Sequence, residues 1–298
     1  MKKSETQLLA RIGVILQFLL GSSFVFGQVV GETKTIEITV DDPRPLAAAI
    51  LKLQELSGIP INYEDMPVYY SGDQQERIPR YPDGRSRFFG ARGGQLSQPI
   101  VVDAATGRLN NIQAVSAALT ALVSAYNTSN LPGGFDFEYY NGVFFVKPVR
   151  YRDATGATQT MAPILSTPIT FPEELRSWNQ TWRLILRQVA GATTVEIFQG
   201  MGLDGGGTVT LGAQDEPARY VIARYLASGS GPAVVPRNAT WDLGMSYRLL
   251  CQPQKGCALN VQQVANSPRW AVPSAKPYSP PPRRPFQGVP PAGRRSAP

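Results

Sequence analysis

The sequence predicts an α+β fold in which one small unit occurs twice, over residues 33–150 and 163–265. Each segment shows, in the same order, a strand, an amphipathic helix, two strands, a second amphipathic helix and a closing strand hairpin. Each segment also has roughly 100 residues, enough to bury a core of its own. We therefore expect two tandem βαββαββ-type modules, each with two helices packed on a small mixed sheet.

The elements of the first module follow from apolar spacing and from turn residues. Alternating apolar side chains indicate half-buried strands, and spacings of three and four indicate helices. Asn141-Gly142 supplies the positive φ angles that a tight hairpin turn requires, and Gly58 ends the first helix. The predicted strands are 36–40, 59–63, 100–102, 135–140 and 143–146, and the predicted helices are 46–56 and 112–126.

The second module repeats this order with different residues. Trp178 and Trp182 share a helix face with Ile185, which predicts a packed core stripe. The string Gly-x-Gly-x-x-Gly at 200–205 leads into a strand and not into a helix, so it predicts a hairpin loop and not a dinucleotide site. The predicted strands are 169–171, 194–198, 208–211, 241–250 and 258–261, and the predicted helices run from 178 to 191 and from 215 to 228.

The N-terminal segment 1–27 predicts export. Lys2, Lys3 and Arg11 precede an apolar run that Gly and Ser interrupt, as in a cleavable signal peptide. Retention of this segment as a membrane anchor is the alternative. We expect an exported protein, periplasmic or associated with the cell envelope, that is soluble after cleavage.

The net charge of +7 belongs to the two ends of the chain. Segment 1–27 carries +2 and the tail 271–298 carries +5, which leaves the body near zero. We therefore expect no binding of nucleic acid. The tail is rich in proline and arginine and predicts a disordered segment that could contact an anionic cell wall or membrane surface.

Cys251 and Cys257 are the two cysteines, and they lie at the inner ends of a predicted hairpin. In an exported chain this placement predicts a disulfide that clamps the turn. The spacing is not that of a Cys-x-x-Cys redox motif.

Residues 151–162 are predicted to form a linker between the modules. A segment at 66–98, rich in Arg and Gly, interrupts the first module. Mixtures of Arg and aromatic residues are typical of contact surfaces, so this insertion is the predicted partner-binding region. The candidate residues are Tyr69, Tyr70, Arg77, Arg80, Tyr81, Arg85, Arg87, Phe88, Phe89 and Arg92.

The sequence offers no catalytic constellation. It has no His, no Ser-x-x-Lys and no Gly-x-Ser-x-Gly, so we expect no enzyme activity, no cofactor and no metal site. The acidic pairs at 41–42 and 173–174 precede helices and are predicted to cap them. Glu64 and Asp65 support the alternative, a peptidoglycan or glycan binder or hydrolase that uses the 64–92 region.

The first module resembles the short N-terminal domain shared by secretins and TonB-dependent receptors. The matching residues are Val40-Asp-Asp-Pro-Arg-Pro-Leu46, Ser57-Gly-Ile-Pro-Ile-Asn-Tyr63, the second helix and the 135–146 hairpin. The insertion departs from this pattern, and the second module shares only the element order. The resemblance implies a periplasmic docking unit that contacts other envelope proteins. We therefore expect a non-catalytic, exported adaptor, associated with secretion or TonB-dependent machinery.

Overall fold

The computed structural model describes residues 32–77, 88–200, 207–228, 244–252 and 256–264 and confirms the α+β fold. The first module consists of β1 (Thr33–Asp42), α1 (Pro45–Ser57), β2 (Ile61–Glu64), β3 (Gln74–Arg77), β4 (Phe88–Ala91), β5 (Gly94–Asp103), α2 (Ile112–Thr128), β6 (Gly134–Tyr140) and β7 (Val143–Arg152). The short strand β8 (Thr158–Thr160) and a 3-10 turn (Ile164–Ser166) follow. The second module consists of β9 (Pro168–Ser177), α3 (Trp178–Thr193), β10 (Ile197–Gln199), β11 (Thr208–Pro217), α4 (Ala218–Ala227), β12 (Gly244–Gln252) and β13 (Gly256–Val264).

The two modules pair their strands in the same way. In the first, β1 is antiparallel to β5, β2 is parallel to β7, and β6 is antiparallel to β7. In the second, β9 is antiparallel to β11, β10 is parallel to β13, and β12 is antiparallel to β13. The register also matches, because Ile61 lies opposite Phe144 and Ile197 lies opposite Cys257. The fold is therefore duplicated at the level of individual strand pairs.

One sheet runs through both modules. Its order is β10-β13-β12-β2-β7-β6, and the modules meet where β12 lies parallel to β2. Strand β8 pairs with the end of β7, so the segment 151–162 contributes a short strand to the same sheet.

The helices of the two modules lie on opposite faces of this sheet. Phe144 and Val146 of β7 belong to the core under α1 and α2, whereas Phe145 belongs to the core under α3 and α4. Successive side chains of a strand point to opposite faces, which separates the two cores. Trp178 and Trp182 lie fully inside the second core, as predicted.

A simple operation relates the modules. The equivalent strands of the two modules follow the same order along the sheet. Their directions are opposite, because β12 runs parallel to β2 whereas its equivalent in the first module, β6, runs antiparallel to β2. A half-turn about an axis that lies in the sheet and crosses the strands reverses strand direction and exchanges the faces while it keeps the order. The strands of the second module are therefore related to those of the first by this half-turn combined with a shift along the sheet.

Some sequence predictions of local detail are wrong. Glu173 and Glu174 lie within β9 and cap no helix, because Ser177 starts α3 in a reciprocal capping arrangement with Gln180. Strand β11 extends through Asp215 to Pro217, so α4 begins at Ala218 and not at Asp215.

The predicted hairpin between β10 and β11 does not form either. Strand β10 pairs with β13 and β11 pairs with β9, so the glycine-rich segment connects strands of different sheets. Most of that segment, 201–206, lies outside the described residues. Among the helices of the described part of the chain, none has the length and apolar character that crossing a membrane requires.

Candidate partner-binding surfaces

The predicted disulfide is confirmed. Cys251 and Cys257 lie opposite each other in the β12–β13 hairpin, with their sulfurs bonded at 2.07 Å. The same position in the first module holds Tyr139 and Phe144, whose rings lie 4.8 Å apart. A covalent bond in one hairpin thus takes the place of an aromatic contact in the other.

The joint between β12 and β2 is held by polar groups of β2 and its flanks. The Asp65 carboxylate pairs with Arg44 at 2.5 Å and accepts the backbone N–H of Cys251 at 3.2 Å. Asp65 also donates its own N–H to the Leu249 carbonyl at 2.8 Å, and the Asn62 side chain accepts the N–H of Tyr247 at 2.9 Å. These hydrogen bonds provide partners for backbone groups of Tyr247, Leu249 and Cys251 in β12, whose parallel ladder with β2 is short.

Glu64 joins the modules on the face of the sheet opposite to the Asp65 side chain. Its carboxyl accepts the backbone N–H of Leu165 at 3.0 Å, and the residue is only 3 % exposed. Burial raises the pKa of Glu64 from 4.5 to about 7, against the opposing effect of that hydrogen bond and of Arg219.

Glu64 and Asp65, the acidic pair behind the glycan alternative, therefore both serve the fold. Each side chain is buried and bonded to groups of the other module. Hydrolysis of a glycosidic bond requires two carboxyls that face a substrate in a cleft. This pair has no such access.

The insertion is anchored at its base. Strands β3 and β4 pair as an antiparallel ladder, which places Arg77 opposite Phe88 and Glu76 opposite Phe89 in the backbone. The buried carboxylate of Asp73 binds Arg152 of β7 at 3.0 Å. Arg92 donates its backbone N–H to the Asp73 carbonyl at 2.6 Å and keeps an exposed side chain. The candidates Arg80, Tyr81, Arg85 and Arg87 lie outside the described residues.

Tyr69 and Tyr70 lie between this base and the second module. Tyr69 is 55 % exposed, and its ring meets Tyr151 edge-on at 5.5 Å between centroids. The ring of Tyr70 lies against Gly72 and Gly156, where a larger residue would collide with it. Tyr69 and Tyr151 form one wall of an open groove, which we call the junction groove; its further lining includes Pro67, Met161, Ile164, Pro168 and Val195.

The structure offers two further candidate surfaces. They are the outer edges of the shared sheet, β6 at one end and β10 at the other. Each edge strand exposes a large apolar side chain, Tyr139 at 44 % and Phe198 at 45 %. Such side chains in short strands are a signal that sequence reasoning could have used, but their exposure is visible only once the strand order is known.

The described residues contain no group of three or more His, Cys, Asp or Glu side chains that could hold a metal ion. Comparison of the whole chain with models of protein families, with curated proteins and with solved structures finds no match.

Proposed function

We propose that this protein is a non-catalytic adaptor of the cell envelope that binds a partner protein at the junction groove. The observation that carries the proposal is the placement of Tyr69. Its ring is more than half exposed, yet Tyr151 holds one edge of it at the groove wall. Exposed aromatic rings with restricted freedom supply large contact area at low entropic loss, and Tyr and Arg are enriched among residues that dominate binding energy.

The base of the insertion strengthens this surface. Asp73 and Arg152 tie the start of β3 to β7, beside Tyr151. Arg92 extends from the same base with an exposed side chain. The proposed partner is a protein with an apolar or aromatic segment that fits the groove.

Export is part of the proposal. It draws on the N-terminal segment 1–27, on the disulfide, and on the resemblance of the first module to a periplasmic docking domain of secretins and TonB-dependent receptors. The partner would then be an envelope protein of secretion or TonB-dependent machinery. The basic tail adds a possible contact with an anionic wall or membrane surface.

The test is site-specific photo-crosslinking in cells with the crosslinker at residue 69. We expect one defined protein adduct, and we expect Tyr69→Ala in the purified pair to weaken binding by about tenfold or more. Leu175→Ala is the matched control, because Leu175 is also a large exposed apolar residue, at 68 %, and lies on β9.

Two results would overturn the proposal. One is equal binding by Tyr69→Ala and wild type. The other is release of soluble fragments from purified peptidoglycan by the wild-type protein and not by Glu64→Gln or Asp65→Asn variants of normal stability, which would favour the glycan alternative.

A further inference from the structure

We propose that this chain assembles head to tail with copies of itself, through parallel pairing of β6 in one chain with β10 in the next. This pairing would repeat, between chains, the joint that β12 and β2 make within one chain. It uses the outer sheet edges and not the junction groove, so it goes beyond the function proposed above.

The first step is the equivalence of the strands. Strand β6 occupies in the first module the place that β12 occupies in the second, and β10 occupies the place of β2. The two outer edges of the sheet are therefore equivalent to the two strands of the internal joint: β6 corresponds to β12, and β10 corresponds to β2. The half-turn and shift take the second module onto the first. The same operation applied to the first module places the second module of another chain next to β6, and the β10 strand of that chain then runs parallel to β6.

The second step concerns the backbone of β6. Tyr140 and Val143 flank the two-residue turn and therefore form a hydrogen-bonded pair. Hydrogen-bonded pairs alternate with non-hydrogen-bonded pairs along an antiparallel ladder, so Tyr140, Glu138 and Asp136 form the hydrogen bonds to β7. The N–H and C=O groups of Phe137 and Tyr139 then point away from β7. Phe135 confirms this orientation, because its outward N–H and C=O are bonded by the side chain of Asn127, at 2.8 Å each. For Phe137 and Tyr139, no such partner is found within the described part of the chain.

The third step concerns the backbone of β10. The Glu196 carbonyl accepts from Cys257, and the Gly200 N–H donates to Leu259, so these groups face β13. The alternating residues Ile197 and Gln199 direct their backbone groups outward. In β2 the equivalent outward positions are Ile61 and Tyr63, and the next such residue, Asp65, donates its N–H to Leu249 at the internal joint.

The fourth step concerns side chains. The internal register sets Arg248 opposite Tyr63. The equivalent register between chains sets Asp136 opposite Gln199 and brings Phe198 beside Phe135 and Phe137 on the same face. Phe198 and Tyr139 are two of the five large apolar residues exposed in the described part of the chain, and they lie on the two strands that would meet. Pairing would bury Phe198 against the half-buried Phe137.

The experiment measures the mass distribution of the purified protein by sedimentation across a concentration series. We expect species that grow beyond a dimer, since each joint leaves one β6 and one β10 edge open. Phe198→Glu closes the β10 edge, and Tyr139→Pro removes an outward N–H of β6 without touching its bonds to β7. Each variant alone should be monomeric, and an equal mixture of the two should form a species of two chains and nothing larger.

A second pair of variants tests the register at two exposed positions, Asp136 and Gln199. Gln199→Glu places a like charge opposite Asp136 and should weaken assembly by up to about fivefold, and Asp136→Lys in the same chain should restore it. Leu175→Glu is the control, since it adds a charge at an apolar residue outside both edges that is even more exposed, at 68 % against 45 % for Phe198, and it should assemble normally. Tyr69→Ala should also assemble normally, which separates this inference from the adaptor proposal.

Four outcomes would overturn the inference. The first three are a monomeric wild type at all concentrations, the absence of a two-chain species in the mixture of variants, and a loss of assembly in Leu175→Glu equal to that in Phe198→Glu. A symmetric dimer through β6 alone would also overturn it, and it would reveal itself because Phe198→Glu would leave that dimer intact.

Discussion

The two modules share three strand pairs but differ in the chemistry of the equivalent strands β2 and β10. Strand β2 carries Asn62 and Glu64 and is followed by Asp65, all buried and bonded to the second module. At the position of Asn62, β10 has Phe198, which is exposed. Duplicated topology is thus maintained by apolar spacing, whereas polar residues distinguish the edge that is joined from the edge that is open.

The hairpins differ in a similar way. The second module closes its hairpin with a disulfide where the first uses two aromatic rings. The disulfide also fixes Cys251, whose N–H and carbonyl bind Asp65 and Arg44 of the first module. The covalent bond therefore lies at the position where the second module is held to the first.

The largest expected effect comes from removing the polar clamp of β2. Asp65→Ala removes the carboxylate that pairs with Arg44 and accepts the Cys251 N–H, which should destabilise the fold by about 3–5 kcal/mol. Chemical denaturation measures the change. Glu174→Ala removes an exposed ion pair in the second module and should change stability by less than about 1 kcal/mol. Similar losses in both variants would refute a special role for the β2 clamp.

Glu64 should make the stability depend on pH. Its pKa is about 7 in the folded protein and 4.5 ordinarily, so its contribution is fully present below pH 4.5 and is lost as pH rises through 7. The loss amounts to about 3 kcal/mol. Glu64→Gln keeps an acceptor for the Leu165 N–H and should remove this part of the slope. Denaturation curves from pH 4 to 8 measure the difference, and parallel curves for both proteins would contradict the prediction.

Loss of the disulfide should have a smaller effect. Cys251→Ser with Cys257→Ser opens a short loop, and the entropy of that loop corresponds to about 2 kcal/mol. Hydrogen exchange should show faster opening of β12 and β13 than of the equivalent β6 and β7. Equal acceleration in both hairpins would show that the bond stabilises the whole sheet and not the second module.

The smallest effects concern the ends of α1 and α3. Gly58 and Thr194 hold equivalent positions, both with left-handed backbone, at φ values of 68° and 58°. A β-branched residue is strained there. Gly58→Thr should lower the free energy of unfolding by about 1–2 kcal/mol, and Thr194→Gly should raise it by up to about 1 kcal/mol. The opposite signs are the check, and a loss in both variants would contradict the assignment of strain.

Much of the fold could be predicted from local patterns. Apolar spacing indicated the four helices of the described part of the chain, Asn141-Gly142 indicated the β6–β7 turn, and the two cysteines indicated their own bond. The pairing of β12 with β2 could not be predicted, because a short apolar strand looks the same whichever neighbour it has. The role of Glu64 and Asp65 could not be predicted for a related reason. The sequence does not show whether a carboxylate is buried or exposed, and the hydrogen bonds to the N–H groups of residues 165 and 251 become visible only in the structure.

The placement of the helices on alternate faces also bears on the shape of any larger array. Because neighbouring modules have their helices on opposite faces of the sheet, a bend toward the helices of one module is a bend away from those of the next. Successive bends therefore cancel. A row of such chains would have little net curvature and would not close on itself after a few members. It would extend as a long, gradually twisting ribbon with the helices of all first modules on one surface and those of all second modules on the other.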